Sequence, residues 1–417
     1  MRLIEDLKAR GLVYQVTDEN LDDILSQKPT TLYCGFDPSD SSLHVGSLVP
    51  ILGLVRFQRA GHRPIALLGG GTGMIGDPSG KSNERQLLTL DNLAQNLASI
   101  REQLGRFIDL DHGLMLNNAD WLVPWRLIDF LRDIGKHFSV PMMLGKESVQ
   151  ARLETGISFT EFSYVLLQAY DFYRMYVDVG CTAQIGGRDQ WGNITAGIDL
   201  IRRLTGGQAY GLTFPLITSA SGRKFGKTEA GTVWLDSKRT SPYRLYQYFL
   251  NTTDQDVVQY LKYFTLLPLE EIDSYRIRVE QSPESREAQR TLAAEVTKMV
   301  HGQEATRQAE EASAILFGRK IEHMTDALLE DVFEGVPRGT VTRDALSAGI
   351  DIIDILPLVG AAKSKGEARR LVAGGGVYLN NERVPGLDLK IDGTHLASEH
   401  VVVLRTGRKN YYLLRVE

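Results

Sequence analysis

The chain has 417 residues, 43% of them hydrophobic and 24% charged, which suits a globular protein of two or three domains with well-buried cores. Its formal net charge is −5, so bulk charge gives no sign of nucleic-acid binding; ten Lys/Arg against eight Asp/Glu from Asp351 to Glu417 nevertheless give that segment +2 and leave −7 for the first 350 residues. No run of 18 apolar residues suggests a membrane span, the start Met1 to Arg10 contains acids and no long apolar region and so does not read as a secretory signal, and Cys34 and Cys181 with no zinc-site spacing point to a reducing, cytoplasmic protein.

Residues 31–36, Thr-Leu-Tyr-Cys-Gly-Phe, read as a buried strand. A loop from Asp37 to Gly46 and a helix over 47–60 follow; Gly61 stops that helix, and Pro50 fits only in its first turn. Residues 64–69 read as a second strand, which completes a βαβ unit and predicts a parallel sheet. Helical patterns follow over 85–108, 122–134 and 160–172. A second unit starts near Cys181, turns through Gly186-Gly187, and enters a helix over 194–204, with a short strand over 212–217. In such sheets ligands sit outside the carboxyl ends of the strands. From about 240 to 320 the pattern is helical and charged, and 332–349 mixes Gly, Pro and Thr like a linker. Ser364-Lys-Gly-Glu367 is a capping box opening a short helix that stops at Gly374-Gly375-Gly376. Val377 to Val384 reads as strand, Asn380-Asn381 turn and strand.

At roughly 100° per residue, Tyr164, Gln168 and Asp171 fall within about 60° on one face of an otherwise apolar helix. A core helix does not carry a phenol, an amide and a carboxylate in line without partners. The face reads as the wall of a pocket for a small polar ligand bearing a cation, such as an amino acid. The run Gln184-Ile-Gly-Gly-Arg-Asp-Gln-Trp-Gly-Asn193 follows closely.

Other motifs are weaker alone. His44-Val-Gly-Ser47 opens a helix and suits a phosphate, though a loop histidine is the bland alternative. Gly69 to Ser82 is glycine-dense, but Ile75 stands where a P-loop needs glycine. It reads either as a flexible loop or as close backbone approach to a ligand, with Asp77 as a charged anchor. Lys224-Phe-Gly-Lys-Thr228 puts two lysines on a glycine-hinged loop that could embrace a triphosphate; by itself so short a motif reads first as a solvated loop. Arg369 and Arg370 suit RNA phosphates or a solvated helix face.

Together these residues resemble the bacterial tyrosyl-tRNA synthetases, a family of class I aminoacyl-tRNA synthetases. The resemblance spans essentially the whole chain and rests on long runs: Ile157 to Tyr164, Gln168 to Phe172, Gln190 to Thr195 and Lys224 to Thr228. It implies an α/β fold: a Rossmann-like parallel-sheet catalytic domain over 1–220 with a dimer-forming helical insertion at about 110–160. An α-helical anticodon-side domain over 221–330, a linker over 331–350 and a small α+β RNA-binding domain over 351–417, like that of ribosomal protein S-four, would follow.

The resemblance also implies roles. Tyr33 and Asp171 match residues that recognise the substrate phenol, and Asp77, Tyr164 and Gln168 match those that hold its ammonium. Asp37, Gly187, Asp189 and Gln190 match residues around the adenylate, Gln190 also bordering the tyrosine; His44, Gly46 and Ser47 align with the first class signature. Lys81, Arg85, Lys224 and Lys227, with Thr228, match the groups that gather the pyrophosphate. The expected reaction is activation of L-tyrosine with ATP and Mg2+, then transfer to tRNA(Tyr), by a cytoplasmic homodimer with no membrane partner and no protein-bound structural metal. Ser47 replaces the second signature histidine, and Arg188 stands where a serine is common. A small-molecule adenylyltransferase and a non-catalytic RNA-binding relative stay open as rivals. The Tyr/Gln/Asp face counts against the first and the Lys224/Lys227 pair against the second.

Overall fold

A computed structural model describes residues 2–417 apart from 81–86, 154–155, 219, 221, 223–224, 229–230, 317 and 323; Lys227 is described by its backbone. The chain divides into two units, one of Met1–Thr240 with Thr252–Leu292 and one of Ser241–Asn251 with Ala293–Glu417.

The first unit is built on a six-stranded sheet of β1 (Gln15–Val16), β2 (Thr31–Phe36), β3 (Arg63–Leu68), β4 (Leu114–Asn117), β5 (Cys181–Gly187) and β6 (Tyr210–Phe214), in the order β1-β6-β5-β2-β3-β4. Every pairing is parallel except the edge pair β1–β6. The expected βαβ unit forms from β2, the helix Leu48–Arg59 and β3. Along β3 every residue from Pro64 to Leu68 is buried, as a parallel strand covered on both faces requires. Only Arg63 is exposed, and Pro64 sits at the strand's start, where a missing donor costs least. The chain runs from β2 to β3 on one side, while β5 lies on the other. The strand order therefore reverses between β2 and β5, which opens a crevice at their carboxyl ends.

Proline and capping residues explain where element bounds depart from the periodicity. The helix expected over 122–134 is two, Ala119–Leu122 and Leu127–Asp133, because Pro124 interrupts it. The strand expected over 212–217 is β6 and ends before Pro215. The helix expected over 85–108 is Leu90–Gly105, with the Thr89 side chain accepting from Asn92 N–H. The polar-faced helix runs further than expected, Phe159–Val179, from a Ser158 cap to Gly180 at φ +66. Helix Trp191–Thr205 follows β5 and packs along it. A hairpin of β7 (Lys227–Thr228) and β8 (Gly231–Thr232), then helices Asp254–Phe264 and Leu269–Gln281, also belong to this unit.

In the second unit, helix Pro242–Leu250 packs on Gln303–Ile315, with Gln247 Nε2 donating to Ser313 Oγ at 2.6 Å. Its five-stranded sheet contains β9 (Arg338–Val341), β11 (Val377–Leu379), β12 (Glu382–Arg383), β14 (Val401–Thr406) and β15 (Asn410–Val416); β10 (Ile350–Asp351) pairs separately with β13 (Lys390–Ile391). The 331–350 segment is therefore not a plain linker. It holds β9, parallel to β15, and the helix Arg343–Ala348. Gly339 lets β9 lie tight on the Leu358 backbone, where a Cβ would come within 2.8 Å of the carbonyl oxygen. A strand whose partner lies far along the chain reads locally as turn-rich coil. The Ser364 cap forms as expected, but Glu367 accepts from Lys363 N–H instead of closing the box on Ser364.

Helix Leu48–Arg59 sits on the sheet through Gly53, where a Cβ would lie 2.4 Å from Phe214 Cζ and 3.2 Å from Ile185 Cδ1. Gly53→Ala should therefore destabilise the protein by about 1–3 kcal/mol through overpacking. The check is the urea midpoint at unchanged m-value. Gly105→Ala, with open space around the added carbon, is the control and should be no less stable than wild type.

Candidate active site

The polar face of helix Phe159–Val179 points into the crevice, and its three polar groups are buried. Asp171 accepts from Trp121 Nε1 at 2.7 Å and from Asn118 Nδ2 at 2.9 Å. Burial still dominates and pushes its carboxyl up to about 8, with those two donors pulling the other way. Asn118 also donates to Thr72 Oγ1, and Thr72 donates to Asp37 Oδ1. The other Asp37 oxygen accepts from Tyr164 at 2.7 Å. The chain of bonds thus leaves the helix at Asp171 and returns to it at Tyr164, two turns earlier.

Gln168, between them, heads a second network. Its amide donates to Gln190 Oε1 at 3.1 Å and accepts from Asn193 at 3.0 Å. Gln190 Nε2 donates to Asp77 Oδ2 at 2.6 Å, and the other Asp77 oxygen accepts from Ser79 N–H. Burial raises the Asp77 carboxyl, while Gln190 and Ser79 lower it. Tyr33, on β2, is fully buried; its ring meets Phe172 edge-on at 5.2 Å, and its hydroxyl has no hydrogen-bond partner. Burial, then the nearby Asp171 charge, holds its phenol well above the usual range.

Protein side chains approach the first residues of the glycine run closely. A Cβ on Gly69 would lie 2.0 Å from Asp37 Oδ1, and one on Gly70 would lie 2.3 Å from Asn117 Oδ1. The glycines make room for the carboxylate that Tyr164 and Thr72 hold, and Gly71 N–H fixes Asn118 Oδ1 at 2.7 Å.

Toward solvent, His44 is exposed and its ring lies over Gly46, 2.8 Å from where a Cβ would be. Ser47 N–H donates to the His44 carbonyl at the start of helix Leu48–Arg59, and the Ser47 hydroxyl makes no cap bond. Asp189 folds over Gly187, and Thr228 Oγ1 donates to Gly231 C=O across the β7–β8 turn. Gly226, at φ +83, lies against this first turn: a Cβ there would meet Val45 Cγ2 at 2.9 Å, with Gly46 N beyond. The His44–Ser47 turn and the segment leading into β7 are thus neighbours. Lys81, Arg85 and Lys224 lie outside the described residues, and Lys227 is placed by its backbone alone. Arg188 leans on the Tyr14 ring at 4.8 Å. Arg369 and Arg370 are exposed on helix Lys365–Ala373 of the second unit.

Sequence reasoning missed Asn118, Trp121 and Thr72 and gave no separate role to Asn193. Asn118 follows the carboxyl end of β4, so recognising β4 as a strand of the parallel sheet would have found it.

Residues 25–318 match the family model described as tRNA synthetases class I (W and Y), and residues 329–414 match the tyrosine–tRNA ligase SYY-like C-terminal domain. The chain is 52% identical to a tyrosine–tRNA ligase of Roseiflexus castenholzii over 99% of both chains. It is 51% identical to a tyrosine–tRNA ligase of Geobacillus stearothermophilus over the full length of both. Among solved structures it is similar to a C-terminally truncated mitochondrial tyrosyl-tRNA synthetase of Aspergillus nidulans: TM-score 0.69, 30% identity, covering 76% of this chain and 94% of that one.

A carboxyl raised from 3.8 to about 8 binds a proton in the folded state that it lacks when unfolded. Its contribution to stability is full below the unfolded value, near pH 4, and is lost as pH rises through about 8. Thermal unfolding temperature should therefore fall more steeply between about pH 4 and 8 for wild type than for Asp171→Asn, and in parallel with it above that range. Parallel profiles throughout would contradict a buried carboxyl that holds its proton in the folded state.

Proposed function

We propose, for a chain that belongs to the tyrosine–tRNA ligases of the class I aminoacyl-tRNA synthetases, that Tyr33 and Asp171 read the phenol of L-tyrosine while Asp77, Tyr164 and Gln168 hold its ammonium. The family's activity is the premise: tyrosine is activated with ATP, and the tyrosyl group is then passed to tRNA. The observation that carries the residue assignment is the buried Tyr33 hydroxyl with no partner, beside a buried carboxylate. A substrate phenol satisfies both, donating to Asp171 and accepting from Tyr33. At the other end, Tyr164 donates its proton to Asp37, so its oxygen is left to accept. With the Asp77 carboxylate and the Gln168 amide it forms an acceptor set for an ammonium group.

In this reading a tyrosine carboxylate oxygen attacks the α-phosphorus of ATP, the bond to the bridging oxygen breaks, and pyrophosphate leaves with that electron pair. The terminal ribose hydroxyl of tRNA(Tyr) then attacks the carbonyl carbon and AMP departs. No side chain acts as nucleophile, so the protein contributes position and electrostatics. His44, Gly46 and Ser47 supply the turn against the ATP phosphates, with Asp37, Gly187, Asp189 and Gln190 around the nucleotide. Lys227 and Thr228, together with Lys81, Arg85 and Lys224, gather the departing pyrophosphate. Mg2+ would accompany the phosphates of ATP in this reading.

Arg369 and Arg370 meet tRNA phosphates in this reading, and the working form is a cytoplasmic homodimer. An uncovered apolar face supports the dimer: Val123, Leu127, Ile128 and Val140 are each at least 60% exposed within the 110–160 segment. Among the described residues no helix is long and apolar enough to cross a membrane.

ATP–pyrophosphate exchange across a panel of amino acids tests the pocket. Tyrosine should support it best, and better exchange with tryptophan would overturn the assignment. Tyr33→Phe should lower the preference for tyrosine over phenylalanine by about tenfold, the scale of one neutral hydrogen bond. Unchanged discrimination would remove Tyr33 from phenol recognition. Ile128→Asp should shift sedimentation toward the monomer at equal concentration; a species of unchanged mass would separate the apolar face from self-association.

A further inference from the structure

The stretch carrying Lys227 is held by one helix. Phe225 and Gly226 form a neck: Phe225 N–H donates to Ile217 C=O at 3.2 Å, and Gly226 C=O accepts from Val233 N–H at 3.1 Å. The Phe225 ring is buried, stacked on Phe264 at 4.6 Å with planes 16° apart, and meets Tyr260 edge-on at 5.0 Å. Both belong to helix Asp254–Phe264, and Tyr260 and Phe264 meet each other edge-on at 5.7 Å. One turn before Tyr260, Asp256 Oδ1 accepts from Ala220 N–H at 2.8 Å. Residues 256, 260 and 264 are spaced four apart, so a carboxylate and two rings lie along one side of the helix.

The far end of that helix is tied to the helix that follows the His44–Ser47 turn. Arg56 Nη2 donates to the carbonyls of Lys262 at 3.2 Å, Tyr263 at 3.0 Å and Thr265 at 2.8 Å. These are carbonyls at the helix's carboxyl end, which lack intrahelical partners and carry partial negative charge. Arg56 belongs to helix Leu48–Arg59, which begins at the His44–Ser47 turn. One rigid helix therefore links both segments read as meeting ATP, and Gly226 against Gly46 closes the circuit.

We propose that Tyr260 and Phe264 are positioning residues for adenylate formation: by gripping Phe225 they set where β7, and with it Lys227, stands against the His44–Ser47 turn. This rests on the reading that Lys227 meets the ATP phosphates. Neither ring lies in the tyrosine pocket, so their effect belongs to the rate and not to amino-acid binding. Loss of the grip displaces a cation that acts only as charge develops on the leaving pyrophosphate, and misplacement on the scale of 1 Å costs about a hundredfold.

The test is single-turnover adenylate formation at saturating tyrosine, with the equilibrium tyrosine Kd measured on the same proteins. Tyr260→Ala, Phe264→Leu and Phe225→Ala should slow the step by about ten- to a hundredfold while the Kd stays within about twofold, which also verifies that the pocket is folded. Tyr260→Phe, which keeps the ring, should stay near wild type. Phe225→Ala combined with Tyr260→Ala should be no slower than the slower single variant, because both remove one contact. Multiplying losses, unchanged rates, or a Kd that rises with the rate loss would each overturn the proposal. Lys227→Ala separates the two layers: a slow Lys227→Ala beside ring variants at full rate sinks the grip alone, whereas a full rate in Lys227→Ala sinks the reading beneath it.

Discussion

A carboxylate buried away from water is the constraint on which this site depends. Trp121 and Asn118 each donate to Asp171, and burying that carboxyl without hydrogen-bond partners would cost several kcal/mol. Asn118 is in turn held by Gly71 N–H and by Thr72, which holds Asp37, which holds Tyr164 on the same helix as Asp171. Each member has its orientation fixed by the next, so the ring of bonds carries no slack. Its donors and acceptors come from the glycine run, the end of β4, the loop after β2 and the long helix. The parallel sheet is what brings those four places together.

The helix phase matters as much as the sheet. Tyr164 and Asp171 close one network, and Gln168 between them starts the other, through Gln190 and Asn193 to Asp77. A shift of one residue in the helix would turn all three by about 100° and disconnect both networks at once. The Ser158 cap and the left-handed Gly180 mark the two ends of that helix. Shared support of this kind makes the two networks interdependent: a change at Asp171 reaches Gln168 and Tyr164 through one rigid element.

Much of this is legible in the chain because it is local or periodic. The βαβ unit follows from apolar runs and Gly61, and the buried polar face of the long helix follows from the angular spacing of residues 164, 168 and 171. What stays hidden depends on long-range partners. Asn118 and Trp121 look like ordinary residues near a proline-broken helix until β4 is seen beside β3. β9 reads as coil because its partner β15 is the last strand of the chain. The glycine run reads as a place of close approach, but the residues that come close at Gly69 and Gly70, Asp37 and Asn117, lie far along the chain or across the sheet. Phe225 draws no attention inside a motif defined by its lysines, since the rings that grip it lie on a later helix.

The interleaving of the two units bears on the order in which the protein can be made. Helix Pro242–Leu250 belongs with the later unit, yet it is synthesised in the middle of the earlier one, before Thr252–Leu292 completes that unit. As the chain leaves a ribosome at about 5–20 residues per second, this helix must stand without its packing partner Gln303–Ile315 for a time on the order of seconds. Its buried Tyr243, Leu245, Tyr246 and Phe249 form an apolar face with nothing yet to cover it. The arrangement makes the newborn chain most vulnerable to misassociation in a narrow window of elongation, closed only when residues beyond 303 emerge.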